Sequence, residues 1–371
     1  MVNNPSKWAF VTAGVILAAI VAGMLLIRWR GVETNITAKT TSVGVIFVGK
    51  KDDASFCQAH YDALMGIKDE LNLRVVCREK IPEGAACVAA IESLIADEGC
   101  KVVITASFGY GKHLVEVAKR HPGVCFIHPT GNMKRANLTS CMGRMYQARY
   151  LSGIVAGMRS ASGKIGFVGA FPYPEVVRGI NAFALGARSV APGAQVYVRY
   201  SFSWVDDAAA QAASEALLAA HPDIDVFAMH VNSLMPNRVA ASWGIWSVGY
   251  NKDNARSFPD SYLTACEWVW GPYYRQKILS WLRGKFHGDI DWIGLDGGIV
   301  RLSALTKNVA PGTQAAVDAA ERRFASRGFD VFYGPVVDNA GVMRVPKGES
   351  MSDEEMLNRF SWYVEGVTVE K

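Results

Sequence analysis

From residue 42 onward, short apolar runs alternate with longer segments whose apolar positions recur at helical spacing. The first series predicts strands over Ser42–Val48, Leu73–Cys77, Val102–Thr105 and Val124–His128, with helices over Cys57–Leu71, Cys87–Glu98 and Lys112–Arg120 between them. A second series predicts a helix over Gln147–Arg159, a strand at Ile165, a helix after Glu175, a strand over Gln195–Tyr200 and a helix over Ala208–Ala220; strands over Val226–His230 and Ser247–Tyr250 follow. Strands alternating with helices give a parallel sheet covered by helices, so two series of similar size predict two doubly wound α/β lobes. A helix over Gly271–Arg283 and strands near Trp292–Leu302 come too late for the second series. The chain is therefore expected to cross between lobes again, with Gly288–Gly298 and Asn308–Gly312 as turn-rich candidates.

The segment from Gly163 to Pro192 shows how these units end. Ile165, Phe167 and Val168 form a short apolar strand, and Phe171-Pro-Tyr-Pro174 then continues neither a helix nor a central strand, so the chain emerges there. Val176, Ile180, Phe183, Ala184 and Ala187 resume helical spacing, with Gly186 expected to allow close packing on the sheet. Loops at the carboxyl ends of strands are where open α/β sheets bind ligands, so function is expected along that edge.

Composition narrows the class. Half of the 371 residues are hydrophobic, enough for two cores, and a net charge of +5 is dispersed without the basic stripe that nucleic acid requires. An uncharged apolar run from Trp8 to Ile27, preceded by Lys7 and followed by Arg28 and Arg30, has the length of a bilayer span. It reads as a signal anchor, with Val32–Thr41 as tether and small residues near Ala38 leaving cleavage open. That places the globular part in the periplasm or extracellular space, held to the cell membrane. Seven cysteines form no CxxC pair and no Cys/His ligand spacing, so no metal site or cofactor is expected; an oxidising compartment would permit one pairing, such as Cys77 with Cys87 or Cys100.

Enzymatic motifs are absent: there is no GxSxG, HExxH, Walker loop or GxGxxG after the first strand. Gly109 and Gly111 form a fragment of a glycine-rich loop, while Asp52, Asp53, Asp206 and Asp207 each precede a helix and read as caps rather than as acid/base pairs. The strand ends carry aromatics with polar partners: Phe56; Phe108 and Tyr110; Phe171 and Tyr173; Phe202 and Trp204; His230, Asn232 and Ser233; Asn251 and Asp253. Such rings sandwich a planar ligand while amides and carboxylates read its edge. For His230, ligand contact and a buried structural hydrogen bond both stand; His60, His113, His121 and His287 read as surface or capping residues.

Ordered motifs over residues 43–345 resemble the basic membrane protein family of substrate-binding proteins serving ABC importers of purines and nucleosides: SFGYG at Ser107, HPTGN at His128, YQARYLSGIVAG at Tyr146, FPYPEVVRGINAFALGARSV at Phe171, SWVDD at Ser203, MHVNS at Met229 and LTACEWVWGPYY at Leu263. The resemblance implies a type I periplasmic-binding-protein-like fold: two doubly wound α/β lobes joined by three crossovers, here behind an N-terminal membrane anchor (1–41). The expected lobes are 42–145 with about 266–290, and 146–265 with about 291–371. By position, Phe56 and Trp204 resemble the stacking aromatics, Phe108 the facing loop residue, and Asn232 and Asp253 the edge-reading groups, with His230 and Trp270 nearby. FPYPEVV and WGPYY are similar to the branch binding a free purine base such as adenine.

Three departures matter. Gly111 and Lys112 replace an acid found after SFGY in many members, Asn251 and Asp253 replace paired acids, and the lysine near Trp268 is missing, which weakens ribose recognition. No lipobox cysteine is present. The implied function is a monomeric, non-enzymatic binding protein delivering a purine base or nucleoside to an ABC permease. A membrane-tethered purine sensor is the alternative, and a nucleoside hydrolase on the same fold is a more distant one.

Overall fold

A computed structural model describes residues 38–326 and 329–371. The apolar run at Trp8–Ile27 lies outside the described residues, and among those described no helix is long and apolar enough to cross a membrane. The chain runs β1 (Thr41–Phe47), α1 (Phe56–Lys68), β2 (Leu73–Arg78), α2 (Ala86–Ala96), β3 (Val102–Ala106), α3 (Gly111–Arg120), β4 (Cys125–Pro129), β5 (Leu138–Gly143) and α4 (Met145–Arg159). It continues through β6 (Lys164–Gly169), α5 (Pro174–Val190), β7 (Gln195–Tyr200), α6 (Asp207–Ala220), β8 (Val226–His230), α7 (Met235–Ser242), β9 (Trp246–Asn251), β10 (Tyr262–Trp268) and α8 (Trp270–Leu282). Last come β11 (Ile290–Ile293), β12 (Val300–Leu302), α9 (Thr313–Ala325), β13 (Val336–Val337), β14 (Met343–Val345), α10 (Asp353–Asn358) and β15 (Val367–Val369).

Two sheets result. One has the order β11-β5-β4-β3-β1-β2 and is parallel throughout. The other has the order β12-β10-β9-β8-β6-β7-β15 and is parallel except for the antiparallel edge pair β10–β12. Strands β3, β4, β8 and β10 are buried along their whole length, as expected where helices cover both faces. The chain passes between sheets after β5, after β10 and between β11 and β12. These junctions fall at Arg144, Val269 and 294–299, because β10 and β11 complete opposite sheets. Asn308–Gly312 makes no crossing and leads into α9.

β5 is missed by an apolar-run reading because Thr139 and Ser140 sit in its middle. Both are fully buried: Thr139 Oγ1 donates to Asp289 O at 3.2 Å, and Ser140 Oγ donates to Met133 O. Gly186 departs from expectation in its partner, since the close approach is to α4 and not to the sheet. A Cβ there would lie 2.0 Å from Tyr150 O, and one on Gly153 would lie 2.0 Å from Phe183 O, so α4 and α5 cross in backbone contact. The C-terminal segment covers α5: Asn181, fully buried, donates from Nδ2 to Trp362 O at 2.8 Å and accepts from Val364 N at 3.0 Å, while Arg178 donates to Met356 O. All seven cysteines are free thiols, and Cys77 alone is not fully buried. Burial pushes the Cys87 and Cys100 thiols up to about 11, which keeps them protonated and poorly nucleophilic.

Candidate ligand cleft

The carboxyl ends of the two sheets meet. Asn251, the last residue of β9, donates from Nδ2 to Ser55 Oγ and to Asn232 Oδ1, both at 2.9 Å, and its Oδ1 accepts from Trp268 Nε1 at 3.1 Å. Next to it, Asn254 Nδ2 donates to Ala54 O at 3.0 Å, and Lys252 pairs with Asp62. One loop of the second sheet is thus tied to the start of α1 on the first.

That start is built by Asp53, whose carboxylate accepts from the amides of Ser55 (2.8 Å), Cys57 (3.0 Å) and Gln58 (3.0 Å). It sets Phe56 at the head of α1, half-buried, with its ring edge-on to His60 at 4.5 Å. Asp206 likewise caps α6 by accepting from Ala209 N at 3.0 Å. Asp207, read as a cap, instead accepts from Ser233 Oγ at 2.5 Å and ties α6 to the loop after β8.

On the second sheet the rings gather around Phe171. Its centroid lies 5.8 Å from Trp204, 5.1 Å from Tyr173 and 6.4 Å from Phe202. Asn232 N donates to Trp204 O at 2.7 Å, which fixes the Trp204 loop beside the amide pair. Because Asn232 Oδ1 is taken by Asn251, its Nδ2 remains as a donor with no hydrogen bond among the described residues.

Trp204, Asn232 and Ser55 therefore belong to one network, joined through Asn251, and Phe56 follows Ser55 in the chain. His230 and Trp270 stand behind it. His230 is 1% exposed, 6.0 Å from the Trp204 ring and 4.3 Å from Tyr250, and its Nε2 lies 3.9 Å from Glu175 Oε1, beyond hydrogen-bond reach. Burial, reinforced by the Arg149 and Arg178 cations, holds His230 well below the ordinary histidine range, so it is a neutral backing ring. Trp270 is fully buried between Trp268 (4.8 Å) and His60 (4.6 Å), because α8 packs on α1.

Phe108 and Asp253 stand apart from the network. Phe108 is 58% exposed in a short 3₁₀ turn, and there Glu83 accepts from Ser107 Oγ and, at 3.0 Å, from Gly109 N. The glycine-rich fragment thus already holds a carboxylate from its own chain. Asp253 Oδ1 accepts from Ala255 N at 2.9 Å, shaping the loop after β9. Together with Asn251 and Trp270 it lines a pocket of about 590 Å³ between α1 and the ends of β9 and β10, whose lining does not include Trp204, Asn232 or Phe56.

Two histidines read as surface or capping residues differ in environment. His121 bonds Glu92 at 2.7 Å, whereas His60 is fully buried with Nδ1 2.6 Å from Tyr274 Oη. Asn251, a strand-end amide with no ligand role expected from the sequence, is the junction, and it ends β9 at φ +70°. Among the described residues no group of three or more His, Cys, Asp or Glu could hold a metal ion.

Residues 40–329 match the family described as ABC transporter substrate-binding protein, PnrA-like (Bmp). Over 351 residues the chain is 33% identical to a purine-binding protein of Brucella abortus, covering 94% of this chain and 97% of that one. It is 31% identical over 330 residues to a putative ABC transporter glucose-binding protein of Haloferax volcanii, covering 89% and 81%. An ABC transporter solute-binding protein from Conexibacter woesei superposes with a TM-score of 0.67 at 21% identity, covering 78% of this chain and 98% of that one, which supports the fold.

Proposed function

The chain belongs to the PnrA-like family of ABC transporter substrate-binding proteins, and from that premise we propose that it captures a purine base, adenine-like, or a nucleoside between its two sheets and hands it to an ABC permease. The family is one of extracytoplasmic binding proteins and not an enzyme class. One observation carries the ligand assignment: the Trp204–Phe171 rim sits beside Asn232, whose Nδ2 is an unused donor. Flat rings grip a planar heterocycle at about 1–3 kcal/mol per face, and an amide donor at their foot suits a ring-nitrogen acceptor. On this reading Phe56 and Phe108 meet the other face of the ligand, His230 and Trp270 back the stack, and Asp253 shapes the closing loop. The sheets act as lobes, 42–145 with about 266–290 and 146–265 with about 291–371, and the N-terminal apolar run tethers a monomer to the membrane. The mechanism is closure: a permease distinguishes the form in which both lobes grip the ligand.

The test is a thermal-shift panel of adenine, guanine, adenosine and glucose. A purine at about 100 times its Kd stabilises by about 2.7 kcal/mol and raises the melting point by several degrees. Stabilisation by glucose and by none of the purines would sink the assignment.

Closure gives a second expectation. Asn251→Ala removes the bond to Ser55 and leaves Trp268 Nε1 and Asn232 without their partner. Titration calorimetry with adenine should show Kd rising about tenfold or more, from a penalty of about 1–3 kcal/mol for orphaned polar groups. An unchanged Kd would mean that this contact plays no part in the bound form.

A further inference from the structure

Phe202 is the outlier of the cleft rim. It sits at φ +53°, in the left-handed region that bulky side chains avoid, and its side chain is 67% exposed. Its neighbours dictate that backbone. Ser201 N donates to Gly169 O at 2.9 Å and Ser201 Oγ to Ser203 O at 2.9 Å; Ser203 Oγ accepts from Val205 N and Asp206 N at 3.3 and 3.1 Å; and Trp204 O is held by Asn232 N at 2.7 Å. A loop pinned on both sides in this way needs a left-handed residue at 202, and glycine meets that need without strain. The phenylalanine ring is thus a feature the backbone does not require. Its ring lies with its centroid 6.4 Å from Phe171 and 6.1 Å from Tyr200, and with the residue this exposed, burial offsets little of the strain. Strain and exposure together at one rim position point to a role in the bound state.

We propose that Phe202 is a ligand-covering residue, laying its ring over the exposed edge of a planar heterocycle held against Trp204. The inference rests on the purine reading above and sharpens it. An apolar ring at the mouth favours a bare base over a nucleoside, whose ribose hydroxyls would face it without partners.

Titration calorimetry with adenine and adenosine, together with ligand-free melting, on wild type, Phe202→Gly and Phe202→Ala tests it. Expected are an adenine Kd about tenfold weaker in both variants, from loss of one stacking partner, and a smaller change for adenosine. Ligand-free Phe202→Gly should melt at or above wild type, and Phe202→Ala, which keeps a Cβ at the strained position, below Phe202→Gly. An adenine Kd within twofold of wild type in Phe202→Gly overturns the inference and leaves the purine reading intact. A melting point several degrees lower in that variant assigns Phe202 a structural role and also overturns it. Failure of wild type to bind adenine while it binds adenosine overturns the inference alone, and failure to bind either overturns the reading and the inference together; both are distinguished by needing no variant.

Discussion

Gly186→Ala is expected to lower the melting temperature by about 3–5 °C, an effect of about 2–4 kcal/mol in a chain of this size. The new Cβ would stand 2.0 Å from Tyr150 O and 2.8 Å from Tyr150 C, and these are backbone atoms of a neighbouring helix, not the movable end of a side chain. Relief requires α4 and α5 to separate by about an ångström, and that loosens the cluster that Ile154, Ile180 and Phe183 form with the second sheet. Alanine's better helix propensity, about 1 kcal/mol, offsets part of the loss. The contrast is Gly66 in α1, where a Cβ would meet nothing within 4 Å. There the same substitution should hold or raise the melting point, which isolates the helix contact from the generic effect of removing glycine. Calorimetric melts of both variants decide it: a Gly186→Ala midpoint within a degree of wild type would show that the two helices are not in the close contact described.

The βα alternation was readable because covered parallel strands are continuous apolar runs, and runs such as Val102–Ala106 cannot be confused with amphipathic helix. Legibility ended where polar residues were buried with private partners. Thr139 and Ser140 hid β5, and Asn181, on the buried face of α5, gave no sign that it holds the C-terminal segment. His60 is the same case in the site region: on a helix one histidine looks like another, and its partner Tyr274 lies 214 positions away. The strand-end rule placed Trp204, Asn232 and Phe56 correctly at the edge where the sheets meet, since any residue after a buried parallel strand emerges there. It could not rank them by depth, which depends on packing between sheets. His230 and Trp270 consequently proved to be buried backing, and Asn251 the junction.

Acidification should act on that backing. Lowering the pH from 7 to 5 is expected to cost about 4 kcal/mol of folding stability, about 2 kcal/mol from each of the buried neutral His60 and His128, with His230 adding in the same direction. Burial holds His60 down to about 3 and His128 down to about 4, and holds His230 well below its ordinary range. In the unfolded chain each binds a proton near pH 6.5, so between that value and the folded value the unfolded state carries the extra protons and gains as pH falls. Below the ordinary histidine value the slope from His60 and His128 approaches about 3 kcal/mol per pH unit, to which carboxylates lowered by partners, such as Glu92 beside Arg120, add at more acid pH. Glu175, raised by burial, works in the opposite direction, because protonation in the folded state relieves its desolvation. Urea unfolding at pH 7, 6 and 5 measures the slope, and His60→Gln should lower it by about 1.4 kcal/mol per pH unit while costing the Tyr274 hydrogen bond at every pH. A stability that stays flat from pH 7 to 5 would mean that these rings are protonated, or reach water, in the folded protein.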